Sequence, residues 1–193
     1  MKKQDIIAAS ADFGARFHVW LDFILRWECE YDEHGHIRTE NVPGDGGGLT
    51  FAGIDARSHP AFCFSDPKPR DVARIYYNDY WQPARVGELP FPVGEVVANY
   101  AVNMGLRAAV KLLQTALNSF AAHGGIRVDG VLGPKTVQAV AQVPEEDLAD
   151  RIEDEAGDRY RRIVARRSSQ RKFLKGWLNR NRALERWWQG LAA

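Results

Sequence analysis

One stretch of the chain decides the fold: FGARFHVWLDFILRWE, residues 13–28. Its apolar residues recur at steps of three or four positions, at Phe13, Phe17, Leu21 and Ile24. This spacing predicts an amphipathic helix with those side chains on one face. The next position in the series is Glu28. The pattern therefore predicts that an acidic residue ends the helix on its apolar face, towards the core or a cleft.

Glu28 is the first candidate catalytic residue. Its neighbour Glu30 falls about 200° further round the helix, towards solvent, at about 100° per residue. Burial and the negative end of the helix dipole both favour the protonated form of a carboxyl group. A carboxyl group that stays protonated near neutral pH is the general acid that glycosidic bond cleavage needs. The alternative is that the helix simply reaches the surface at this position.

A glycine-rich segment follows the helix. Residues 32–54 combine turn residues with short polar stretches, which predicts a β-hairpin. Four of the five residues at 44–48 are glycines, and they surround Asp45. Glycine allows backbone conformations that other residues avoid, and it lets the backbone approach a ligand closely. An ordinary surface loop is the alternative, and a phosphate loop is excluded because the sequence lacks GxxxxGK[ST].

These motifs resemble a family of muramidases, glycoside hydrolase family 108. The family signature is E-G-G-Y followed by D-x-G-G-x-T-x-x-G-I. This chain has WECEY at residues 27–31 and DGGGLTFAGI at residues 45–54. The resemblance continues through IYYNDYW at residues 75–81 and NYAVNMG at residues 99–105. The chain departs from the family pattern in two ways. Cys29-Glu30 replaces both glycines of E-G-G-Y, and the spacing from Glu28 to Asp45 is longer than in the shortest members, as in an extended hairpin.

The resemblance implies a mainly α, lysozyme-like helical fold with a small β-hairpin. It also implies that Glu28 is the catalytic acid and protonates the leaving oxygen. Asp45 and Thr50, on the facing loop, are the candidates to hold or activate the attacking water. The implied reaction is hydrolysis of the β-1,4 bond between N-acetylmuramic acid and N-acetylglucosamine, with peptidoglycan glycan strands as the partner. No cofactor and no metal are implied.

Four further residues are candidates for substrate binding: Tyr31, Tyr77, Trp81 and Asn103. Aromatic rings such as those of Tyr77 and Trp81 stack on the apolar faces of sugars, although core packing is their commoner role. Asn103 is a polar exception in the apolar run at residues 96–120, which predicts one buried central helix. Gln114 is another exception, and buried Asn and Gln side chains usually satisfy backbone groups.

The chain is predicted to contain two domains. Residues 83–92 are rich in proline and break regular structure, so they are the best linker candidate. We expect a lysozyme-like catalytic domain at residues 1–95 and a helical peptidoglycan-binding domain at residues 96–193, packed on the first. VDGVLGPKT at residues 128–136 resembles the small helical peptidoglycan-binding domain that usually follows in this family.

Several helix boundaries follow from local sequence. Asp71 is expected to cap a helix that runs through Tyr80. Pro134 suits the first position of a short helix. Pro144 and the three acidic residues after it predict the start of another helix, whose positive end the acids complement.

Basic residues are concentrated in the C-terminal fifth of the chain. The net charge is only +1, yet the segment from Arg159 to Arg186 carries a long series of arginines and lysines. One interpretation is a solvated helix face. The other is attraction to an anionic surface, meaning wall polymer, lipid or nucleic acid. For the enzyme interpretation, nucleic acid is not an expected partner.

Composition bounds the remaining possibilities. The chain has 193 residues, of which 45% are apolar and 26% charged, as in ordinary globular proteins. It has no run of about 18 apolar residues that would span a membrane, and no signal-peptide pattern. We therefore expect a monomeric, phage-type endolysin that is made in the cytoplasm, is released with a holin-type export partner and acts in the periplasm on the cell wall. Cys29 and Cys63 are expected to be free thiols.

Two alternatives stay open. A lytic transglycosylase also works with a single acidic Glu, but its product carries an anhydro ring in place of added water. A non-catalytic protein that binds cell wall or nucleic acid, with a decayed site at Cys29-Glu30, would use the basic C-terminal segment as its binding surface.

Overall fold

The structure is a computed structural model, and it describes residues 1–41, 49–63, 65–120 and 125–192. This part of the chain is mainly helical and contains one small sheet. The chain divides into two compact units, Met1–Asp79 and Tyr80–Ala193. The domain boundary expected between residues 95 and 96 stays a prediction. In the part of the chain that the structure describes, no helix is both long and apolar enough to span a membrane.

The first unit is built from short helices around one longer helix. The described helices of this unit are α1 (Lys3–Ala9), α2 (Ala15–Glu28), α3 (Pro60–Cys63) and α4 (Pro69–Tyr76). Helix α1 contacts both α2 and α4. The apolar face of α2 is buried as predicted, with Phe17, Leu21 and Ile24 at most 1% exposed. Burial of these side chains is the main stabilising contribution of the helix.

The predicted boundaries of α2 hold at one end only. The helix begins at Ala15 and not at Phe13, because Gly14 has φ +104° and interrupts the helical backbone. Phe13 ends a short 3₁₀ turn and still packs on Phe17, with 5.6 Å between the ring centroids. The predicted end at Glu28 is confirmed, since the next residue, Cys29, has an extended backbone.

The predicted hairpin is part of a three-stranded antiparallel sheet. Strand β1 (Thr39–Asn41) pairs with β2 (Leu49–Phe51), and β2 pairs with β3 (Ile54–Asp55), in the order β1-β2-β3. Thr50 lies opposite Glu40 on one side and Asp55 on the other. The third strand was not predicted, because two residues are too few to show an alternating pattern.

Helix α4 differs from its prediction at both ends. It begins at Pro69, whose fixed φ suits the first helical position. Asp71 is the third residue of the helix, and its carboxylate accepts a hydrogen bond of 3.0 Å from the backbone N–H of Lys68. The α-helix ends at Tyr76, and a π-helical turn continues over Tyr77–Trp81.

The second unit is a cluster of helices. Its described helices are α5 (Val93–Met104), α6 (Leu106–Leu117), α7 (Pro134–Val140), α8 (Glu145–Arg166) and α9 (Arg171–Ala192). Helix α8 contacts α5, α6 and α9. The prediction of one central helix over residues 96–120 is wrong, because Gly105 has φ +84° and separates α5 from α6. The predicted helix starts at Pro134 and after Pro144 are confirmed.

Gln114 holds a turn within residues 128–136, the segment that resembles a peptidoglycan-binding domain. Its side chain is 1% exposed. Its Nε2 donates to Asp129 Oδ1 at 2.9 Å and to the Val131 carbonyl at 3.1 Å, and its Oε1 accepts from the Gly130 N–H at 2.8 Å. A buried amide is therefore satisfied by the turn, as expected for such residues.

Helix α9 is attached to α8 through a buried polar contact. Trp188 is 1% exposed, and its indole N–H donates to Glu153 Oε1 at 2.9 Å. Asn181 Nδ2 donates to the Glu153 carbonyl at 3.0 Å. Burial raises the pKa of Glu153 to about 8, although the Trp188 hydrogen bond acts in the opposite direction. Glu153 is thus an acid that the fold keeps protonated at neutral pH.

The pKa of Glu153 predicts how stability changes with pH. The folded-state pKa of about 8 lies above the ordinary value of 4.5, so the folded state keeps a proton that the unfolded chain has released. This stabilisation is fully present below pH 4.5 and is lost as the pH rises towards 8. We expect Glu153→Gln, which stays neutral, to melt like the wild type near pH 4.5 and about 5 °C or more above it near pH 8.5.

The matched control is Glu146→Gln, at an exposed acid in the first turn of the same helix. It should show no gain in melting temperature at high pH. If the melting temperatures of Glu153→Gln and the wild type differ by the same amount at every pH in this range, the raised pKa of Glu153 is contradicted.

Candidate active site

Glu28 lies at the end of α2, where the buried face of the helix reaches the surface. Leu25, one turn earlier, is fully buried, whereas Arg26 and Glu30 are exposed. Glu28 itself is partly buried. Its position therefore agrees with the helix phase read from the sequence, and it separates Glu28 from its acidic neighbour Glu30.

The tip of the β2–β3 hairpin packs directly against Glu28. Phe51 pairs with Ile54, which leaves Ala52 and Gly53 as a two-residue turn with φ +53° and +74°. Two positive φ angles are typical of the tight type I′ turn. A Cβ placed on Gly53 would lie 2.8 Å from Glu28 Cβ and 3.3 Å from the Glu28 carbonyl. The turn approaches the helix end this closely because Gly53 has no side chain.

Tyr76 holds the hairpin tip from the other side. Its side chain is 1% exposed, and its hydroxyl donates to the Ala52 carbonyl at 2.9 Å. The same hydroxyl lies 2.6 Å from the position of a Cβ on Gly53. The candidate residue predicted from the sequence is the adjacent Tyr77, and Tyr76 was not among the candidates. A buried tyrosine needs a partner for its hydroxyl, but sequence spacing does not indicate which residue that is.

Thr50 lies in the middle strand of the sheet. Because side chains alternate along a strand, its side chain points to the face opposite that of Leu49 and Phe51. Asp55 is its cross-strand partner, and a hydrogen bond from the Ser58 N–H at 2.9 Å holds the pKa of Asp55 below its ordinary value. An ionised carboxylate thus pairs with Thr50 across the strands. This neighbour of Thr50 was not predicted from the sequence, because strand β3 was not predicted.

Asp45, the remaining candidate catalytic residue, lies outside the described residues. Its predicted role in holding or activating water stays a prediction.

Two of the substrate-binding candidates, Tyr31 and Tyr77, belong to the first unit and make structural contacts there. The ring of Tyr77 packs edge-on against Phe17 at 5.1 Å and tilted against Phe13 at 4.9 Å. The hydroxyl of Tyr31 donates to the Leu25 carbonyl at 2.7 Å, and burial raises its pKa above the ordinary value. The ring of Tyr77 therefore packs against α2, and core packing is the commoner of the two roles expected for it.

The other two candidates belong to the second unit. Trp81 is buried, with 7% of its surface exposed. Asn103 is partly buried, and its Nδ2 donates to the Tyr160 hydroxyl at 3.0 Å. Substrate binding by these residues stays a prediction, as it does for Tyr31 and Tyr77.

The described residues contain no group of three or more His, Cys, Asp and Glu side chains that could hold an ion. Cys29 and Cys63 do not form a disulfide with each other. Burial raises the pKa of the Cys63 thiol, whose Sγ donates to the Ile54 carbonyl at 3.3 Å. The thiol of Cys63 thus supports the sheet beside the hairpin tip.

Comparison with known proteins assigns both parts of the chain. Residues 21–105 match the family described as Glycosyl hydrolase 108, which includes the helix end, the hairpin tip and Tyr76. Residues 108–182 match the family described as Predicted Peptidoglycan domain. The chain carries a glycosyl hydrolase 108 domain followed by a peptidoglycan domain. It is therefore a glycoside hydrolase that acts on peptidoglycan.

A solved structure supports the fold of this chain. The structure of Brucella abortus SagA is similar to it with a TM-score of 0.68 and 23% identity, over 92% of this chain and 94% of that chain. This similarity confirms the predicted lysozyme-like, mainly helical fold. No curated protein sequence matches this chain.

The contact at the hairpin tip predicts the effect of a single methyl group. We expect Gly53→Ala to destabilise the glycosyl hydrolase and to slow glycan cleavage, because the new Cβ would collide with Glu28 and Tyr76. Gly35→Ala is the matched control, since Gly35 has nearly the same φ of +76° but no atom within 4 Å of a new Cβ. Both changes cost about 1–2 kcal/mol of backbone strain, and overpacking adds about 1–3 kcal/mol at Gly53 alone.

Urea unfolding would measure the two free energies of unfolding, and release of reducing ends from purified sacculi would measure cleavage. Equal losses of stability in the two variants would show that the close contact at Gly53 has no energetic importance.

Proposed function

We propose that the enzyme is an endolysin-type N-acetylmuramidase. It hydrolyses the β-1,4 bond between N-acetylmuramic acid and N-acetylglucosamine in peptidoglycan. The observation that carries this proposal is the position of Glu28, a partly buried acid at a helix end that is covered by the tip of a β-hairpin. The match of residues 21–105 to Glycosyl hydrolase 108 supports the same assignment.

In the proposed mechanism, Glu28 acts as the general acid. Its carboxyl group donates a proton to the oxygen of the leaving sugar while the bond from that oxygen to the anomeric carbon breaks. A water molecule adds its oxygen to the anomeric carbon and loses a proton to a carboxylate, for which Asp45 is the candidate. Thr50 orients this water with its hydroxyl. The products are two glycan ends, one of which is a new reducing end.

The contacts of the hairpin tip suit this role for Glu28. A general acid has to be held at a stable distance from the bond that it cleaves, because small displacements cost large factors in rate. Gly53 and Tyr76 limit the movement of the segment that faces Glu28. Glu30 lacks this setting, since it is exposed and lies two residues beyond the end of the helix.

The decisive variant is Glu28→Gln, which keeps the shape of the side chain and removes the transferable proton. We expect the rate of glycan cleavage to fall by about 10²–10⁴ or more, with a melting temperature close to that of the wild type. Glu30→Gln is the matched control and should keep nearly full activity. An active Glu28→Gln protein beside an inactive Glu30→Gln protein would reverse the assignment.

Mass spectrometry of the muropeptides released by the wild type defines the reaction. A hydrolase yields fragments with a reducing N-acetylmuramic acid. A lytic transglycosylase yields anhydro fragments that are lighter by one water, and such products would replace the muramidase proposal by that alternative. Absence of any cleavage by a folded wild-type protein would favour a binding protein with a decayed site.

The role of Thr50 has its own test. Thr50→Val keeps the size of the side chain but removes the hydroxyl that we propose to orient water, and cleavage should slow by about tenfold or more. Thr39→Val is the control, because Thr39 pairs with Phe51 on the neighbouring strand and its side chain points to the opposite face of the sheet. Similar rates for both variants would exclude Thr50 from the mechanism.

A further inference from the structure

The second unit contains a groove lined by basic side chains. Two adjoining pockets, of about 260 and 510 Å³, share Ala108, Lys111 and Arg159 as lining residues. We call the combined feature the basic groove, after its five basic residues: Arg107 and Lys111 of α6, and Arg159, Arg162 and Arg166 of α8. Neither the proposed mechanism nor the candidate substrate-binding residues use this groove.

The sequence places these side chains on matching helix faces. Arg107 and Lys111 are four residues apart on α6, so they lie on one face of that helix. On α8, steps of three and four residues separate Arg159 from Arg162 and Arg162 from Arg166. The basic side chains therefore line the groove because their spacing places them on one face of each helix.

The positive charge of the groove is largely uncompensated. Glu155 is the acidic side chain in the lining of the 260 Å³ pocket, and the lining of the 510 Å³ pocket contains no acid among the described residues. Oε1 of Glu155 already accepts a hydrogen bond of 2.6 Å from Arg151 Nη2, which lies outside the groove. Arg162 Nη2 is 3.9 Å from the other oxygen of Glu155, a long contact. Such a surface attracts an anion.

Arg159, which lines both pockets of the groove, has a buried hydrogen-bond donor without an acceptor in the described part of the chain. This donor is its Nε. Buried polar groups in folded proteins normally have a partner. A guanidinium group forms paired hydrogen bonds with a carboxylate, which makes a carboxylate ligand a good chemical match.

The rest of the lining indicates what kind of anion fits. Ala108, Leu112 and Ile163 supply an apolar surface between the charged groups. This combination suits a short chain that carries both carboxylates and aliphatic groups. The phosphates of nucleic acid or lipid headgroups would use the charges but not the apolar surface.

Peptidoglycan contains one component of this kind. Its glycan strands are uncharged where the sugars are N-acetylated and the lactyl group is in amide linkage, whereas its stem peptides carry free carboxylates and aliphatic side chains. The match to the peptidoglycan domain covers residues 108–182, which include the groove residues from Lys111 to Arg166. We propose that the basic groove binds the stem peptides of peptidoglycan through their carboxylates, an inference that rests on the proposed action on peptidoglycan.

Binding of a defined peptide tests this proposal. Full-length Glu28→Gln protein is titrated by calorimetry with a synthetic stem tetrapeptide that contains D-Glu, diaminopimelate and D-Ala, and with the same peptide after amidation of its carboxyls. The groove variant adds Lys111→Gln, Arg159→Gln and Arg166→Gln. The control variant instead adds Arg167→Gln, Arg171→Gln and Lys175→Gln, which remove equal charge from exposed residues outside the groove.

We expect the groove variant to bind the stem peptide at least about tenfold more weakly, and the control variant to bind it within about twofold of the parent. The amidated peptide should bind the parent as weakly as the acidic peptide binds the groove variant. The double variant Lys111→Gln with Arg166→Gln leaves the partly buried Arg159 intact, and it should still weaken binding at least about threefold if the triple variant folds poorly.

Three results would overturn the proposal. Equal losses in the groove and control variants would show a general charge effect. Unchanged binding by the groove variants would exclude the groove. Tighter binding of a short single-stranded oligonucleotide or of anionic phospholipid vesicles at the same residues would assign the groove to phosphates.

The proposed muramidase activity is measured separately, on peptide-free glycan strands with Glu28 in place. Normal cleavage of these strands by the groove variant, together with lost peptide binding, is the expected pair of results. If no protein with Glu28 in place cleaves the strands, but the groove substitutions still weaken peptide binding, the muramidase proposal is rejected and the groove proposal stands.

Discussion

The shape of the candidate active site depends on Gly53, because a glycine has no side chain and lets its neighbours come close. Three segments that are far apart in sequence converge there: the end of α2, the tip of the β2–β3 hairpin and the end of α4. Any Cβ at this position would lie within 3 Å of both Glu28 and Tyr76. The constraint is steric, so it is strict, and it determines how closely the sheet approaches the catalytic acid that we propose.

The hairpin tip also holds a strained residue in place. Ala52 has a positive φ of 53°, which is uncommon for a residue with a side chain. Its carbonyl accepts the hydrogen bond from the buried hydroxyl of Tyr76. A conformation of this kind persists when the surrounding structure over-determines it, and such positions cluster at functional sites. Packing by Gly53 and hydrogen bonding to Ala52 thus act on the same turn.

Buried polar groups organise the second unit in a similar way. Gln114 ties the turn at residues 128–136 to α6, and Glu153 ties α9 to α8. Arg180, although it belongs to the basic C-terminal segment, is buried and donates to Asn99 Oδ1 at 3.1 Å. The basic segment therefore has members with different roles. Arg180 joins α9 to α5, whereas the arginines of α8 line the groove.

Much of this architecture was predictable from local sequence. The apolar spacing of residues 13–28 predicted α2 and the phase of Glu28, because a helix places every third or fourth residue on one face. Pro134 predicted one helix start, because proline is favoured at the first helical position. Pro144 and the acids after it predicted another, because acidic residues complement the positive end of a helix. The family motifs predicted the lysozyme-like fold and the order of the two matched domains.

The sequence by itself determined that a helix ends at Glu28 with this acid on its apolar face, and that helices begin at Pro134 and after Pro144. These features depend on interactions between near neighbours in the chain. Only the tertiary structure decided that Tyr76, and not Tyr77, reaches the hairpin tip. It determined that Asp55, on the two-residue strand β3, lies directly opposite Thr50 on β2. It also decided that basic residues about 50 positions apart line one groove. These contacts join segments that are distant in sequence, and their partners are selected by packing and steric fit, which local patterns do not encode.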